Sequence, residues 1–216
     1  MIPDFLKIKK HRCILNYYLI WLPFIMVYQV TNRFHFIEPR LLPMSRLDEA
    51  IPFLPWTIPV YVSYLVYTFV VITRSRDDNE VREIFVFTHI QLVIAALFFI
   101  FFPVTYPREG FYYPGSMTSM FNGFWVMFDE PNNCFPSLHT MLCLTAIRYS
   151  MDKPGKWLFC AWGALIIATT LTCKQHYVID IAGAFAAYWL SLKIFSLYCS
   201  RTPGKSPDCP PSQSSQ

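Results

Sequence analysis

Charge is scarce in this chain. Of its 216 residues only 15% are Asp, Glu, Lys or Arg, whereas 54% are hydrophobic and 18% aromatic. Soluble domains carry roughly 25% charged residues, so the shortage argues against a water-soluble fold. It is also concentrated: no charged residue falls between Arg12 and Arg33, between Glu49 and Arg74, or between Glu83 and Arg108. A helix crossing the hydrocarbon needs about 20 apolar residues, and each interval holds one. Paired cysteines are missing too. The seven cysteines form no CxxC pair and no metal-ligand spacing, and within apolar stretches a thiol is a small filler. No basic patch with interleaved aromatics occurs, which argues against nucleic-acid binding. No small-residue cleavage site follows the first apolar stretch, which outruns a signal core of about 7–15 residues, so it reads as a retained span.

Six helical spans are expected, near residues 13–33, 53–73, 84–104, 136–151, 157–174 and 176–199. Helices are required because backbone polar groups in hydrocarbon must be satisfied within the segment. Asp152, Pro154 and Gly155 form a turn signal that separates the fourth span from the fifth. The expectation is an all-α, polytopic membrane protein. A six-helix transmembrane bundle covers residues 1–200, and a Pro-, Ser- and Gln-rich tail at 201–216 reads as disordered. With the N-terminus inside, twelve of the eighteen Lys and Arg residues fall on the inner side and five on the outer, with Lys193 near the inner end of the last span. Basic residues favour the cytoplasmic side, so both termini are predicted to be cytoplasmic. The connection at 105–135 then lies outside, and its apolar patch from Met117 to Phe128 suits an interfacial or re-entrant segment.

Two segments gather the chemistry. Cys134-Phe135-Pro136-Ser137-Leu138-His139-Thr140 opens the fourth span, and Lys174-Gln175-His176-Tyr177-Val178-Ile179-Asp180 opens the sixth. Both spans begin outside in this topology, so His139 and His176 meet one membrane face at similar depth. His176 and Asp180 are four apart, on one face of a helix. A carboxylate that holds one imidazole nitrogen leaves the other to act as base or nucleophile. Pro136 suits the first turn of a helix and Ser137 adds a hydroxyl there. Unpaired N–H groups at such a helix start attract anions. Arg108 and Lys174 bring positive charge from the same side. The set is expected to grip a phosphate through N–H groups, Ser137, Arg108 and Lys174, with a histidine on either side of phosphorus.

Plainer readings exist for each residue. His176 with Asp180 could be a structural hydrogen bond, Arg108 and Lys174 membrane-edge anchors, and Ser137 a helix cap. An ionisable pair within a span is costly, however, and marks function by default. His139, His176 and Asp180 form a conceivable two-histidine, one-carboxylate metal set, but no further ligands sit nearby in sequence, and no metal or cofactor is expected. His11, His35 and His89 have no partner pattern.

The segments Pro136-Ser137-Leu138-His139 and His176-(three residues)-Asp180 resemble the second and third signature motifs of the type-2 phosphatidic acid phosphatase superfamily, over about Phe102 to Trp189. The resemblance implies a six-helix membrane fold and a metal-free, two-step reaction. It implies that His176 is the nucleophile and forms a phosphohistidine, that Asp180 is its partner, and that His139 protonates the leaving group. It also implies membrane lipids as surroundings, a lipid phosphate as substrate and an alcohol as a possible acceptor. The chain departs from the pattern at Leu138, where the motif has glycine, and at Thr170, where an arginine is expected. Phe102-Pro103-Val104-Thr105-Tyr106-Pro107-Arg108 occupies the place of the first signature. Arg108 and Lys174 are then the expected replacements for the absent cations. The Ser-Leu-His variant is similar to the sphingolipid-synthase-like branch, including inositol phosphorylceramide synthases, which implies head-group transfer as the alternative to hydrolysis. A transporter or non-catalytic scaffold is the reading from another class. It would show charges in mid-span or broken helices in two corresponding halves, whereas here the ionisable residues gather at one interface.

Overall fold

The computed structural model describes residues 9–108 and 130–200. The apolar patch at 117–128 and the tail at 201–216 lie outside the described residues. Helix α1 runs Cys13–Arg33 and α2, a single short turn outside the bundle, Arg46–Ala50. A 3-10 turn at Pro55–Thr57 leads into α3 (Ile58–Val62), and α4 (Tyr64–Thr73) follows a break at Ser63. Helix α5 is Asp78–Phe101, α6 Leu138–Arg148, α7 Lys156–Thr172 and α8 Val178–Ser200. Two short parallel strands, β1 (Arg40–Leu41) and β2 (Val104–Thr105), pair Arg40 with Val104 and Leu41 with Thr105. The fold is the helical membrane bundle expected, with a small cap at one end.

Among the described residues, four helical stretches are long and apolar enough to cross a membrane: Cys13–Arg33, Pro55–Thr73, Asp78–Phe101 and Val178–Ser200. Their exposed apolar residues repeat at helical spacing, as Ile14, Tyr18, Leu22, Ile25 and Met26 do on α1. Such stripes face lipid, where apolar exposure carries no hydration cost.

Several boundaries differ from the sequence expectation. Helix α5 begins at Asp78 rather than near residue 84, because the Asp77 carboxylate accepts the Glu80 N–H at 2.9 Å and caps a charged first turn. It ends at Phe101 rather than 104, since Pro103 follows and Val104 enters the strand. The second span is kinked at Ser63, whose hydroxyl donates to the Val60 carbonyl (2.6 Å) and accepts the Trp162 indole N–H (2.8 Å). The fourth span is only 11 residues of helix, which rises about 16 Å and is too short to cross alone. It stands instead at the centre, packed against α4, α5, α7 and α8. Leu138, Met141, Leu142, Cys143 and Ala146 are all buried. Non-helical backbone ahead of it is tolerated at membrane depth because protein, not lipid, surrounds it.

The cap has its own small core of Val104, Tyr106, Cys134 and Tyr177, with Leu42, Met44 and Phe135 packed on it. It therefore joins β2 to both motif segments. Asparagines tie it to α1. Asn32 donates to the Glu130 carbonyl (3.1 Å) and accepts the Glu130 N–H (2.9 Å), and Asn132 and Asn133 donate to the Asn32 and Tyr28 carbonyls.

Candidate active site

Ser137 is the N-cap of α6. Its hydroxyl oxygen accepts the Thr140 N–H at 3.3 Å and the Thr140 hydroxyl at 3.1 Å. Pro136 thus lies just ahead of the cap rather than in the first helical turn. His139, one residue into the helix, is half-buried, and its ring packs against Tyr61 (centroids 4.8 Å apart) and edge-on to Tyr64 (4.5 Å).

His176 sits in the turn before α8 rather than on the helix, since α8 starts at Val178. The local reason is Asp180. Its Oδ2 accepts the Tyr177 N–H at 2.8 Å, reaching back from the third helical residue as in a capping box. The same Oδ2 lies 3.3 Å from His176 Nδ1, and the Cys134 carbonyl lies 2.9 Å from it. Both are acceptors, so the proton belongs on Nδ1 and Nε2 carries the lone pair. Nε2 points at His139 Nδ1, 3.5 Å away. His176 and Asp180 are buried, at 6% and 0% exposure, so their contacts are little screened by water. The Asp180 backbone carbonyl accepts the Ser137 N–H at 3.2 Å and joins the two motifs directly.

Arg108 lies close enough to His139 for their charges to interact. Lys174 is placed differently from the expectation. Its Nζ donates to the carbonyls of Asp48 (2.9 Å) and Ile51 (2.5 Å). Thr170, where the motif has arginine, is fully buried, and its hydroxyl donates to the Ile167 carbonyl. As for metals, the described residues place one donor atom each of Cys134, His176 and Asp180 within 4.8 Å of one another, and His139 is not in that group. A cation there would compete for the nitrogen that the Cys134 carbonyl and Asp180 already hold.

Sequence reasoning missed Asp48, the Cys134 carbonyl, and Tyr61 with Tyr64. Asp48 had one local signal, the Ser45-x-x-Asp48 spacing of a capping box. That box forms, with Ser45 N–H and hydroxyl donating to Asp48 Oδ2 at 2.8 and 2.6 Å. Asp48 Oδ1 meanwhile accepts the Val178 N–H at 2.7 Å. Burial alone would raise its carboxyl pKa, but the Ser45 and Val178 hydrogen bonds and the Lys174 charge outweigh this and hold it below the usual carboxylate range.

The profile of the PAP2 superfamily matches residues 56–194. The chain belongs to the PAP2 superfamily. No curated protein matches it. As a PAP2 protein with four apolar helices among its described residues long enough to cross a bilayer, it is a membrane protein, and the superfamily suggests phosphatase- or phosphotransferase-type chemistry. The matched stretch runs from the start of the second span into α8 and contains His139, His176 and Asp180. Asp48 and α2 precede it.

Proposed function

We propose that this PAP2 protein cleaves or transfers phosphate esters of membrane lipids through a phosphohistidine on His176. The observation that carries the reading is the facing pair of imidazoles, His176 buried and His139 half-buried. His176 Nε2 faces His139 while its Nδ1 is held by Cys134 and Asp180. In the first step the Nε2 lone pair forms a bond to phosphorus as the bond from phosphorus to the leaving oxygen breaks. His139 gives that oxygen its proton. In the second step water, or an acceptor alcohol, attacks phosphorus with His139 taking its proton, and the P–N bond breaks.

Charge on the non-bridging oxygens is met by Arg108, the Ser137 hydroxyl and the first-turn N–H groups of α6. Lys174, tied to two carbonyls, contributes at longer range. The site opens on the outer or lumenal face, as the distribution of Lys and Arg favours.

Before substrate binds, the two nitrogens stand 3.5 Å apart. An in-line transfer needs the nucleophile ~3–3.5 Å from phosphorus and the acid ~2.6–3.2 Å from the leaving oxygen beyond it. One ring must therefore yield. His176 is fixed at Nδ1, so it is His139 that swings between its tyrosines.

A panel of lipid phosphates and diphosphates, assayed with purified protein in chelator, tests the reading. Phosphate release is expected to persist in chelator and to be lost in His176→Ala, because members of a unit that acts together are not individually dispensable. Full release by His176→Ala would end it. Leu138 and Thr170, the departures from the phosphatase pattern, favour a second outcome, transfer to an alcohol. Adding a ceramide-like or glycolipid acceptor to a labelled phospholipid decides between the two. Exclusive release of inorganic phosphate would exclude transfer.

A further inference from the structure

We propose that Asp48, on the short outer helix α2, is a positioning residue for His176. The inference rests on the phosphohistidine reading above. His176 occupies the middle of the five-residue run Lys174–Val178, and α2 grips both ends of that run. At one end Asp48 Oδ1 accepts the Val178 N–H at 2.7 Å, capping α8 from another part of the chain. At the other, the Asp48 and Ile51 carbonyls accept the Lys174 ammonium at 2.9 and 2.5 Å.

The grip is rigid on both sides. Asp48 Oδ2 is saturated by the Ser45 N–H and hydroxyl at 2.8 and 2.6 Å, so the carboxylate cannot rotate without losing two further bonds. Asp48 and Lys174 are each only 5% exposed. Lys174 has φ +52°, a left-handed conformation that a non-glycine residue keeps only where its surroundings hold it. A carboxylate suits the place because one group must accept three hydrogen bonds, and an amide offers only one oxygen.

The remaining anchors of His176, the Cys134 carbonyl and Asp180, fix the ring about Nδ1. They do not fix how far the turn projects toward His139. The two ends of the run, both gripped from α2, set that depth together with the Gln175 N–H bond to the Thr170 carbonyl (3.0 Å). Asp48 touches neither reacting atom and acts through the backbone of the nucleophile. It also lies outside the stretch matched to the superfamily, so the superfamily motifs do not assign it.

The test uses full-length protein in lipid nanodiscs and a radiolabelled lipid phosphate (phosphatidic acid first), with rapid quenching of the acid-labile phosphoenzyme. The first-order rate constant of labelling does not depend on how much protein is folded, whereas the labelled amount does. Asp48→Ala is expected to slow that rate constant about tenfold to a hundredfold, the scale of an ångström-level misplacement. KM should stay within about twofold, since binding of the lipid is untouched. Asp48→Asn, which keeps one acceptor oxygen, should recover part of the rate. Ser45→Ala, which removes one of the two bonds that hold Asp48 Oδ2, supplies an independent case should Asp48→Ala not fold. If the variants label to a lower amount but at the wild-type rate constant, Asp48 only stabilises the cap and the inference is overturned. Wild-type protein that forms no labelled histidine while still releasing phosphate would instead overturn the phosphohistidine reading, and the inference with it.

Discussion

His176 draws its chemical character from its neighbours. The Cys134 carbonyl and Asp180 Oδ2, at 2.9 and 3.3 Å from Nδ1, make Nε2 the free nitrogen by occupying the other. His139 differs in kind: its ring lies against the Tyr61 and Tyr64 rings and faces His176. In the proposed mechanism it is the acid, and an acid matters in proportion to the basicity of the leaving group. His139→Asn should therefore slow turnover of alkyl phosphates by about 10²–10⁴-fold, the usual range for a positioned acid. An aryl phosphate such as p-nitrophenyl phosphate, whose leaving group needs no proton, should lose far less. Equal losses on both substrates would show that His139 acts otherwise.

Between elements, close approach matters more than composition. Helix α8 meets the segment before α6 at Gly183, where an added Cβ would lie 2.2 Å from a carbon of the Phe135 ring. That ring packs edge-on to Phe98 and Phe102 at 5.3 and 6.1 Å, contacts it would give up by moving aside. Gly183→Ala is expected to destabilise the protein by about 1–3 kcal/mol, the ordinary cost of overpacking, seen as a lowered melting temperature in detergent. Because Phe135 lies between Cys134 and Ser137, the same change should disturb the site before it unfolds the bundle. The spans themselves were legible in sequence, since twenty residues without charge have no other stable fate in lipid. The ends were not. The start of α5 depended on one cap at Asp77, and the shortness of α6 on being enclosed by four neighbours. An apolar run does not disclose which of its residues are wrapped in protein.

At the scale of the molecule, charge is partitioned between two ends. The end holding the 73–78 and 149–155 connections is laced by Lys153 to Glu80 at 2.9 Å and Arg76 to Asp152 at 3.1 Å. The other carries the cap and the histidines. A membrane-impermeant thiol reagent applied to intact cells should label Glu38→Cys, in the exposed connection after α1, above the background of the unsubstituted protein. Asp152→Cys should label only after permeabilisation. The reverse pattern would place the histidines on the cytoplasmic side and invert the topology.

Membrane residence, the charge-free stretches and the spacing of His176 and Asp180 were determined by the sequence alone. They depend on local quantities: charge-free length, residue type and a spacing of four. Only the tertiary structure decided that Lys174 turns to the Asp48 and Ile51 carbonyls, that the Cys134 carbonyl shares His176 with Asp180, and that Asp48 caps α8 across 130 positions of chain. These are long-range hydrogen bonds between a backbone group and a distant residue. Every residue carries the same backbone groups, so a sequence does not mark which one will be used.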